Sequence, residues 1–312
     1  MKQFKACVLF LAAIMAVSFS KAQSIDEGKN YLYYEKFISA KNTFQKLVDA
    51  NPSNAEAAYW LGQAMIAPED KDIAGAKAVY QKALNANSNS ALLIAGMGHI
   101  ALLEGNTSDA RSRFETALSL SGGKDVAVLN AIGVANGDFD VKAGDGNYAI
   151  DKLKQATNIK AGKTAEIYTN LGDAYRKITD GTNATLSYDA ALAINPRYAR
   201  AIYRKGRVYQ TQGSQQKDIF LKFYADAIAA DPNYTPVYWT LHQYYYEIDV
   251  NKSAEYLDKY LAAKGADEPN TCFLKAQMKY AQGAFQDAIV AAKACIDQAG
   301  ANPYPNLYGL IA

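Results

Sequence analysis

The sequence predicts an all-α fold, an α-solenoid in which antiparallel pairs of helices stack along one direction. The main observation is a regular spacing of glycines, 34 to 39 residues apart, at Gly28, Gly62, Gly98, Gly133, Gly172 and Gly206. Such a period with a small residue at each step is typical of stacked helical hairpins. The second observation is that apolar residues within each period fall three and four apart, as an amphipathic helix requires. No strand-like alternation of apolar and polar residues is seen.

Each period is expected to form one unit of two helices. The glycine lies in the first helix, where the missing Cβ lets the second helix approach closely. Units end in turns such as Asn51-Pro52 and Asn195-Pro196, in which proline stops the helix. The predicted units lie near residues 23–54, 55–90, 91–125, 126–164, 165–198, 199–234, 235–268 and 269–301, with a partial unit at 302–312.

The fifth unit has the fullest motif. It contains Tyr168, Leu171, Gly172, Tyr175, Ala184, Tyr188, Ala191 and Pro196. This pattern resembles the tetratricopeptide repeat (TPR). The match is partial elsewhere, since the fourth unit has an inserted turn and the seventh has His242 in the glycine position. The resemblance covers nearly all of the chain after residue 22. It implies a right-handed superhelix of antiparallel helix pairs whose concave groove binds proteins or extended peptides.

Residues 1–22 are predicted to be a secretory signal peptide. Lys2 and Lys5 precede an apolar stretch from Ala6 to Phe19, and small residues follow before Gln23. The stretch is too short to span a bilayer, although a retained membrane anchor is the alternative. The exported array resembles TPR proteins of the Gram-negative envelope, such as those of Bacteroidota. We therefore expect a periplasmic or secreted mature chain without a stable membrane span.

The end of the sequence falls within the first helix of the ninth unit, shortly after Gly309. A terminal repeat normally carries a polar capping helix. The favoured interpretation is a fragment of a longer protein. The alternative is that the last half-helix packs as an imperfect lid.

Charge and motif content argue against nucleic-acid binding and catalysis. The chain has 33 Lys and Arg against 31 Asp and Glu, whereas a general nucleic-acid binder has a clear basic excess. His99 and His242 fall in different units, and there is no zinc spacing, phosphate-binding loop or nucleophile elbow. Asp138, Asp140 and Asp145 predict a solvated turn rather than a calcium loop, because the later ligands are missing. We predict a protein that is not an enzyme and has no cofactor and no metal.

The resemblance places a partner-binding groove on the first helices. Its predicted residues are Arg176, Lys177, Arg200, Tyr203 and Arg207 in units five and six, and Trp239, Gln243, Tyr246, Phe273 and Tyr280 in units seven and eight. Arginine makes bidentate contacts with carboxylates, and aromatic rings supply rigid apolar contact area. Such a groove suits an extended peptide with an acidic end and apolar side chains. The alternative for the basic run 197–207 is an ordinary solvated helix face.

Cys272 and Cys295 are the cysteines that remain after removal of the signal peptide. Both lie about equally far from the turn around Gly283 in the hairpin of the eighth unit, and an oxidising compartment permits a disulfide there. The alternative is that both cysteines pack as small apolar side chains between the helices.

Two functions are compatible with the sequence. The first is a non-enzymatic scaffold of the cell envelope that holds protein or peptide partners in the groove. The second is the repeat half of a larger exported enzyme or outer-membrane assembly, whose active domain lies beyond residue 312. Sequence after Ala312 in the native transcript would distinguish them.

Overall fold

The computed structural model describes residues 25–68, 71–299, 306–309 and 311. Within these ranges the regular structure is helical and no strand is formed. The helices are α1 (25–33), α2 (Phe37–Ala50), α3 (Ala55–Ile66), α4 (Ile73–Ala86), α5 (Ala91–Leu103), α6 (Thr107–Leu120), α7 (Val126–Gly137), α8 (Gly146–Asn158), α9 (Ala165–Lys177), α10 (Gly181–Ile194), α11 (Ala199–Thr211), α12 (Lys217–Ala230), α13 (Thr235–Tyr246), α14 (Val250–Lys264), α15 (Thr271–Ala281), α16 (Phe285–Ala299) and α17 (Asn306–Gly309). The all-α solenoid predicted from the sequence is confirmed.

Many helices begin at a short polar side chain that accepts hydrogen bonds from the first turn. Asp125, before α7, accepts from the backbone nitrogens of Ala127 and Val128 at 2.8 and 3.2 Å. Thr164 accepts from the backbone nitrogen of Ile167 in α9 at 3.2 Å. These bonds satisfy amide groups that the helix itself leaves without partners. The starts of α7 and α9 are therefore specified by local sequence.

The repeating glycines lie where the two helices of a pair are closest. A Cβ added to Gly172 of α9 would come within 2.3 Å of the Tyr188 ring of α10, closer than real atoms approach. The same conflict, at 2.3 to 2.6 Å, arises between Gly28 and Phe44, Gly62 and Tyr80, Gly98 and Phe114, Gly133 and Leu153, and Gly206 and Tyr224. Each of these large partners is buried. The glycine spacing thus follows the packing of one large side chain per unit, as the sequence predicts.

The seventh unit replaces the glycine with His242, and its second helix compensates. His242 is buried, and burial lowers its pKa below the ordinary value although a hydrogen bond to Ser253 opposes the effect. The Ser253 hydroxyl of α14 donates to the His242 carbonyl oxygen at 2.9 Å and lies 2.8 Å from Nδ1. A large residue on the first helix is thus matched by a small polar residue on the second. His242 is a packing residue here.

The chain divides into two compact units. Unit 1 contains the described residues up to Tyr33 and those of Phe37–Asp231. Within it, the first helices α3, α5, α7, α9 and α11 lie side by side and form one wall. The second helices α4, α6, α8 and α10 each pack against their own first helix and against the next one along the chain. A continuous apolar core from Ala40 to Val208 holds this wall in place.

Unit 2 contains Tyr34–Lys36 and the described residues from Pro232 onward, with the hairpins α13–α14 and α15–α16. Cys272 of α15 and Cys295 of α16 are joined in a disulfide, with their Cα atoms 5.7 Å apart. Cys295 also lies in a small core with alanines of both helices and Leu307 of α17. The disulfide therefore reinforces this small core covalently.

In the part of the chain that the structure describes, no helix has the length and apolar character needed to cross a membrane. The predicted signal peptide, residues 1–22, lies outside the described residues, as does part of the partial unit at 302–312.

Candidate partner-binding site

Three arginines of the first-helix wall in unit 1 surround one carboxylate. The carboxylate oxygens of Asp173 in α9 lie 3.0 Å from Arg200 Nη2 and 3.2 Å from Arg204 Nε, both of α11. Arg176, three residues further along α9, lies 3.7 Å from the same carboxylate. The four side chains are between 11 and 30% exposed, so their charges are partly shielded from water. We call these four residues the arginine cluster.

The carboxylate of the cluster is held in its ionised form. Burial by itself raises the pKa of Asp173, but attraction to Arg204, Arg200 and Arg176 outweighs it. The Tyr188 hydroxyl also donates to Asp173 at 2.8 Å. The pKa of Asp173 therefore lies below the ordinary value of an aspartate. Three positive charges meet one negative charge, which leaves the cluster with an excess of positive charge.

A row of amide groups leads away from the cluster along the wall. Arg200 Nη2 donates to Asn170 Oδ1 of α9 at 2.9 Å. Asn170 Nδ2 in turn donates to Asn130 Oδ1 of α7 at 2.9 Å. Polar groups therefore connect the adjacent helices α7, α9 and α11 on one face. Amide side chains in such a row are suited to hydrogen bonding with the backbone of an extended peptide.

A cavity of about 150 Å³ opens beside the cluster. It is lined by Val134, Gly137, Asp138, Phe139, Asn170, Asp173, Arg200 and Arg204. Guanidinium groups and apolar atoms thus share one small space. The cavity suits one side chain or chain terminus, because pockets for drug-sized ligands and cofactors usually measure about 300–1,000 Å³.

The inserted turn of the fourth unit, residues 138–145, forms one edge of the cavity. Lys177 Nζ donates to the carbonyl oxygens of Asp138 at 2.5 Å and Val141 at 2.7 Å. Burial lowers the pKa of Lys177, although the aspartates of the turn oppose this effect. The ammonium group of this predicted groove residue is therefore engaged by the protein itself. Among the described residues, no group of three His, Cys, Asp or Glu side chains could hold a metal ion.

The other predicted groove residues of unit 1 are Tyr203 and Arg207 of α11. Tyr203 is only 5% exposed, and its ring centroid lies 5.6 Å from that of Tyr224. Arg207 Nη1 lies 3.3 Å from the Tyr203 hydroxyl and donates to it. Tyr203 therefore offers little contact area to a partner, although it helps to orient Arg207.

In unit 2, the predicted residues of α13 form an aromatic group around His242. The Trp239 ring lies 5.2 Å from the His242 ring and 5.0 Å from the Tyr260 ring. Tyr246 packs edge-on against His242 at 6.0 Å. Gln243 is exposed beside them. These rings together provide aromatic surface on unit 2.

The predicted residues of α15 are more accessible. Phe273 is partly buried against the small core around the disulfide. Tyr280 is 50% exposed, and its ring lies 5.1 Å from that of Phe285. These side chains remain predicted contact residues of unit 2.

Sequence reasoning missed Arg204 and Phe139 as members of the site. Arg204 belongs to the basic run, but the groove positions of the repeat omit it. Its spacing of four from Arg200 places both on one helix face, and this signal could have identified it. Phe139 stands in an inserted turn that no repeat pattern describes. Lys205 of the same run faces another way and pairs with Asp189 at 2.5 Å.

His99 of α5 is a buried side chain. It is 6% exposed, and burial lowers its pKa to about 4. Asp138 opposes this shift, while Lys71 and Lys177 add to it. His99 is therefore a neutral side chain at ordinary pH.

Comparison with known proteins identifies the repeats. Residues 25–91 and residues 165–198 each match a family model described as tetratricopeptide repeat. No curated protein sequence matches the chain.

Several solved structures are similar at low sequence identity. The APC/C hetero-tetramer Cut9-Hcn1 aligns at 21% identity and a TM-score of 0.44, over 68% of this chain and 40% of that chain. A MamA structure aligns at 23% identity and a TM-score of 0.40, over 57% of this chain and 93% of that chain. YrrB, described as a TPR protein with an unusual peptide-binding site, aligns at 21% identity and a TM-score of 0.38, over 62% of this chain and 95% of that one. The chain spans less than half the length of the first of these.

The two matched segments include the fifth unit, which carries the fullest motif, and the first hairpins of the array. The same pairing of glycine and large side chain recurs in the units between them. The chain contains tetratricopeptide repeats.

Proposed function

We propose that this chain is a non-enzymatic scaffold of the cell envelope that holds an acidic segment of a partner protein against the first-helix wall of unit 1. The observation that carries the proposal is the arginine cluster, two of whose arginines, Arg200 and Arg204, line a cavity. A carboxylate from the partner would be attracted by the excess positive charge and could accept bidentate hydrogen bonds.

The composition of the cluster favours binding over a purely structural role. One arginine is enough to match one carboxylate in a bidentate pair. Here three arginines face the carboxylate of Asp173, and two of them, Arg200 and Arg204, also line the cavity. A ligand carboxylate in the cavity would lie beside both guanidinium groups.

The proposed role contains no catalytic step. Proteins built from these repeats generally act as interaction scaffolds, and both histidines of the chain are buried. We infer that the groups in the wall bind and orient a partner.

The proposed location is the periplasm or the cell exterior. It is supported by Lys2, Lys5 and the following apolar stretch in the sequence. The disulfide between Cys272 and Cys295 gives independent support, because disulfides persist mainly in oxidising compartments.

The test is a binding measurement by fluorescence polarisation with labelled peptides. The acidic probe has a Glu-Glu-Phe core between Gly-Ser segments, and the neutral probe has Gln-Gln-Phe. We expect binding of the acidic probe alone, and a loss of about 30-fold or more when Arg200→Gln and Arg204→Gln are combined, as for charge pairs at interface centres. The matched control is Arg113→Gln, which removes an arginine paired with Asp109 on α6. Equal affinities of the double variant and the wild type would overturn the proposal.

A further inference from the structure

We propose that the inserted turn at residues 138–145 selects the partner. In this proposal Phe139 contacts an apolar side chain next to the acidic residue of the bound segment, and Lys177 is the positioning residue that holds the turn. The inference rests on the proposed function, because it concerns the same cavity.

The turn is tied to the wall at several points. Asn136, at the end of α7, is buried; its Oδ1 accepts from the backbone nitrogen of Asp145 at 3.2 Å, and its Nδ2 donates to the Ile132 carbonyl oxygen at 3.0 Å. Val141, in the middle of the turn, is 1% exposed. The backbone nitrogen of Gly144 donates to the Val141 carbonyl oxygen at 3.0 Å. The turn is thus held in one place by internal bonds.

Lys177 completes this support from the neighbouring unit. Its ammonium group donates to the carbonyl oxygens of Asp138 and Val141, which lie on either side of Phe139 and Asp140 in the turn. Hydrogen bonds from a charged group are stronger than neutral ones. Lys177 therefore fixes the segment that carries Phe139 relative to α9, where Arg176 and Asp173 also lie.

Phe139 is presented at the cavity and not packed away. It lines the cavity beside the arginines and is 49% exposed. The guanidinium carbon of Arg176 lies 4.7 Å from the centre of its ring, which is the range of a cation–π contact. One part of the ring therefore covers Arg176, and the rest is open to a ligand.

This arrangement specifies the chemistry of the occupant. The cations of the cluster attract a carboxylate, and the open part of the Phe139 ring offers apolar contact immediately beside it. A peptide segment in which Glu or Asp is followed by a large apolar residue satisfies both requirements. An acidic segment flanked only by small polar residues supplies the carboxylate but not the apolar contact.

The experiment compares two acidic probes, with Glu-Glu-Phe and Glu-Glu-Gly cores, on the full chain. We expect the wild type to prefer the first by about tenfold, as burial of part of an aromatic ring allows. Phe139→Ala should bring the ratio of the affinities for the two probes close to one. The same variant should change the affinity for the Glu-Glu-Gly probe by less than about threefold. The matched control is Phe285→Ala, which removes an aromatic side chain of similar exposure from unit 2.

Lys177→Met tests the positioning role. We expect faster hydrogen exchange at the amides of Val141, Gly144 and Asp145 without any peptide, and a reduced preference for the Glu-Glu-Phe probe. A merely structural role would weaken both probes equally and leave their ratio unchanged, which would overturn the assignment of Lys177.

The outcomes separate this inference from the proposed function. If the wild type binds both acidic probes equally, or if Phe139→Ala retains the preference, the selecting role of the turn is wrong while the arginine site stands. If the wild type binds neither acidic probe, the proposed function fails and this inference fails with it.

Discussion

Lowering the pH should destabilise unit 1 through His99. This side chain is 6% exposed, and its pKa is lowered to about 4 by burial. A histidine in the unfolded chain titrates near about 6.5. Between these values the unfolded chain binds a proton that the folded chain does not. The free energy of unfolding therefore falls as the pH decreases from about 6.5 to about 4. Below about pH 4, His99 makes no further contribution to the pH dependence.

The magnitude follows from the size of the pKa shift. A shift of one unit corresponds to about 1.4 kcal/mol, so a shift from 6.5 to about 4 corresponds to about 3 kcal/mol. Domains are typically stable by about 5–15 kcal/mol. One buried histidine therefore accounts for a substantial fraction of the stability that unit 1 loses in mild acid.

The assay is urea unfolding followed by far-UV circular dichroism at neutral pH and near pH 4. The wild type is compared with His99→Gln, which cannot be protonated in this range. On acidification, the free energy of unfolding of the variant should decrease by about 3 kcal/mol less than that of the wild type. Carboxylates such as Asp173 titrate in both proteins, so their contribution cancels in the difference.

His242→Gln in unit 2 is the parallel control, since the pKa of His242 is also lowered by burial. This substitution should change the loss of stability of unit 2 on acidification and not that of unit 1. Hydrogen exchange of the amides in each unit measures the two losses separately. Equal acid sensitivity of the wild type and His99→Gln would mean that His99 is solvated, and the reasoning from burial would be refuted.

Three further outcomes are expected. Gly172→Ala should destabilise the array by about 1–2 kcal/mol in thermal unfolding, because overpacking against Tyr188 exceeds the gain in helix propensity, and an equal or higher stability of the variant would contradict this packing argument. Asp173→Asn should cost about 3 kcal/mol at neutral pH by leaving the arginines without their carboxylate. Because the pKa of Asp173 is lowered, the difference in stability between the wild type and this variant should vanish as the pH falls through that lowered pKa. Equal stability of the two proteins at neutral pH would contradict this account. Reduction of the disulfide between Cys272 and Cys295 should destabilise the α15–α16 hairpin by about 3 kcal/mol, because the disulfide closes a loop of 23 residues in the unfolded chain. Hydrogen exchange of the hairpin amides with and without reductant measures this loss of stability.

The fold was predictable because its signal is repeated. The packing of a glycine against a large side chain requires a glycine at the same position of successive units, and such a regular series does not arise by chance. The seventh unit was harder, since the exchange of glycine for His242 is compensated by Ser253, and neither residue is informative alone. Pairs of compensating residues on different helices become visible only when the helices are placed together.

The candidate site was predictable only in part. Repeat geometry places Asp173, Arg176 and Arg200 on one wall, but it does not show that the arginines converge on the aspartate. Side-chain rotation decides this, and it depends on neighbours that are distant in sequence. Lys177 illustrates the same limit, because a lysine in a groove position and a lysine bonded to a nearby turn look identical in sequence. Phe139 lies in an insertion, where no periodicity applies.

Asp173 and two of its arginines belong to different repeats, and this limits how the array can be cut or rearranged. Repeat units are often treated as interchangeable modules with similar energies. A truncation after α10 would remove Arg200 and Arg204 and leave the carboxylate of Asp173 with Arg176. A poorly compensated charge at such a place costs several kcal/mol. Lys177 and Asn170 of the fifth unit are in turn bonded to the fourth unit. The fourth, fifth and sixth units therefore form one block, and a chimaera of this array should have no junction inside it.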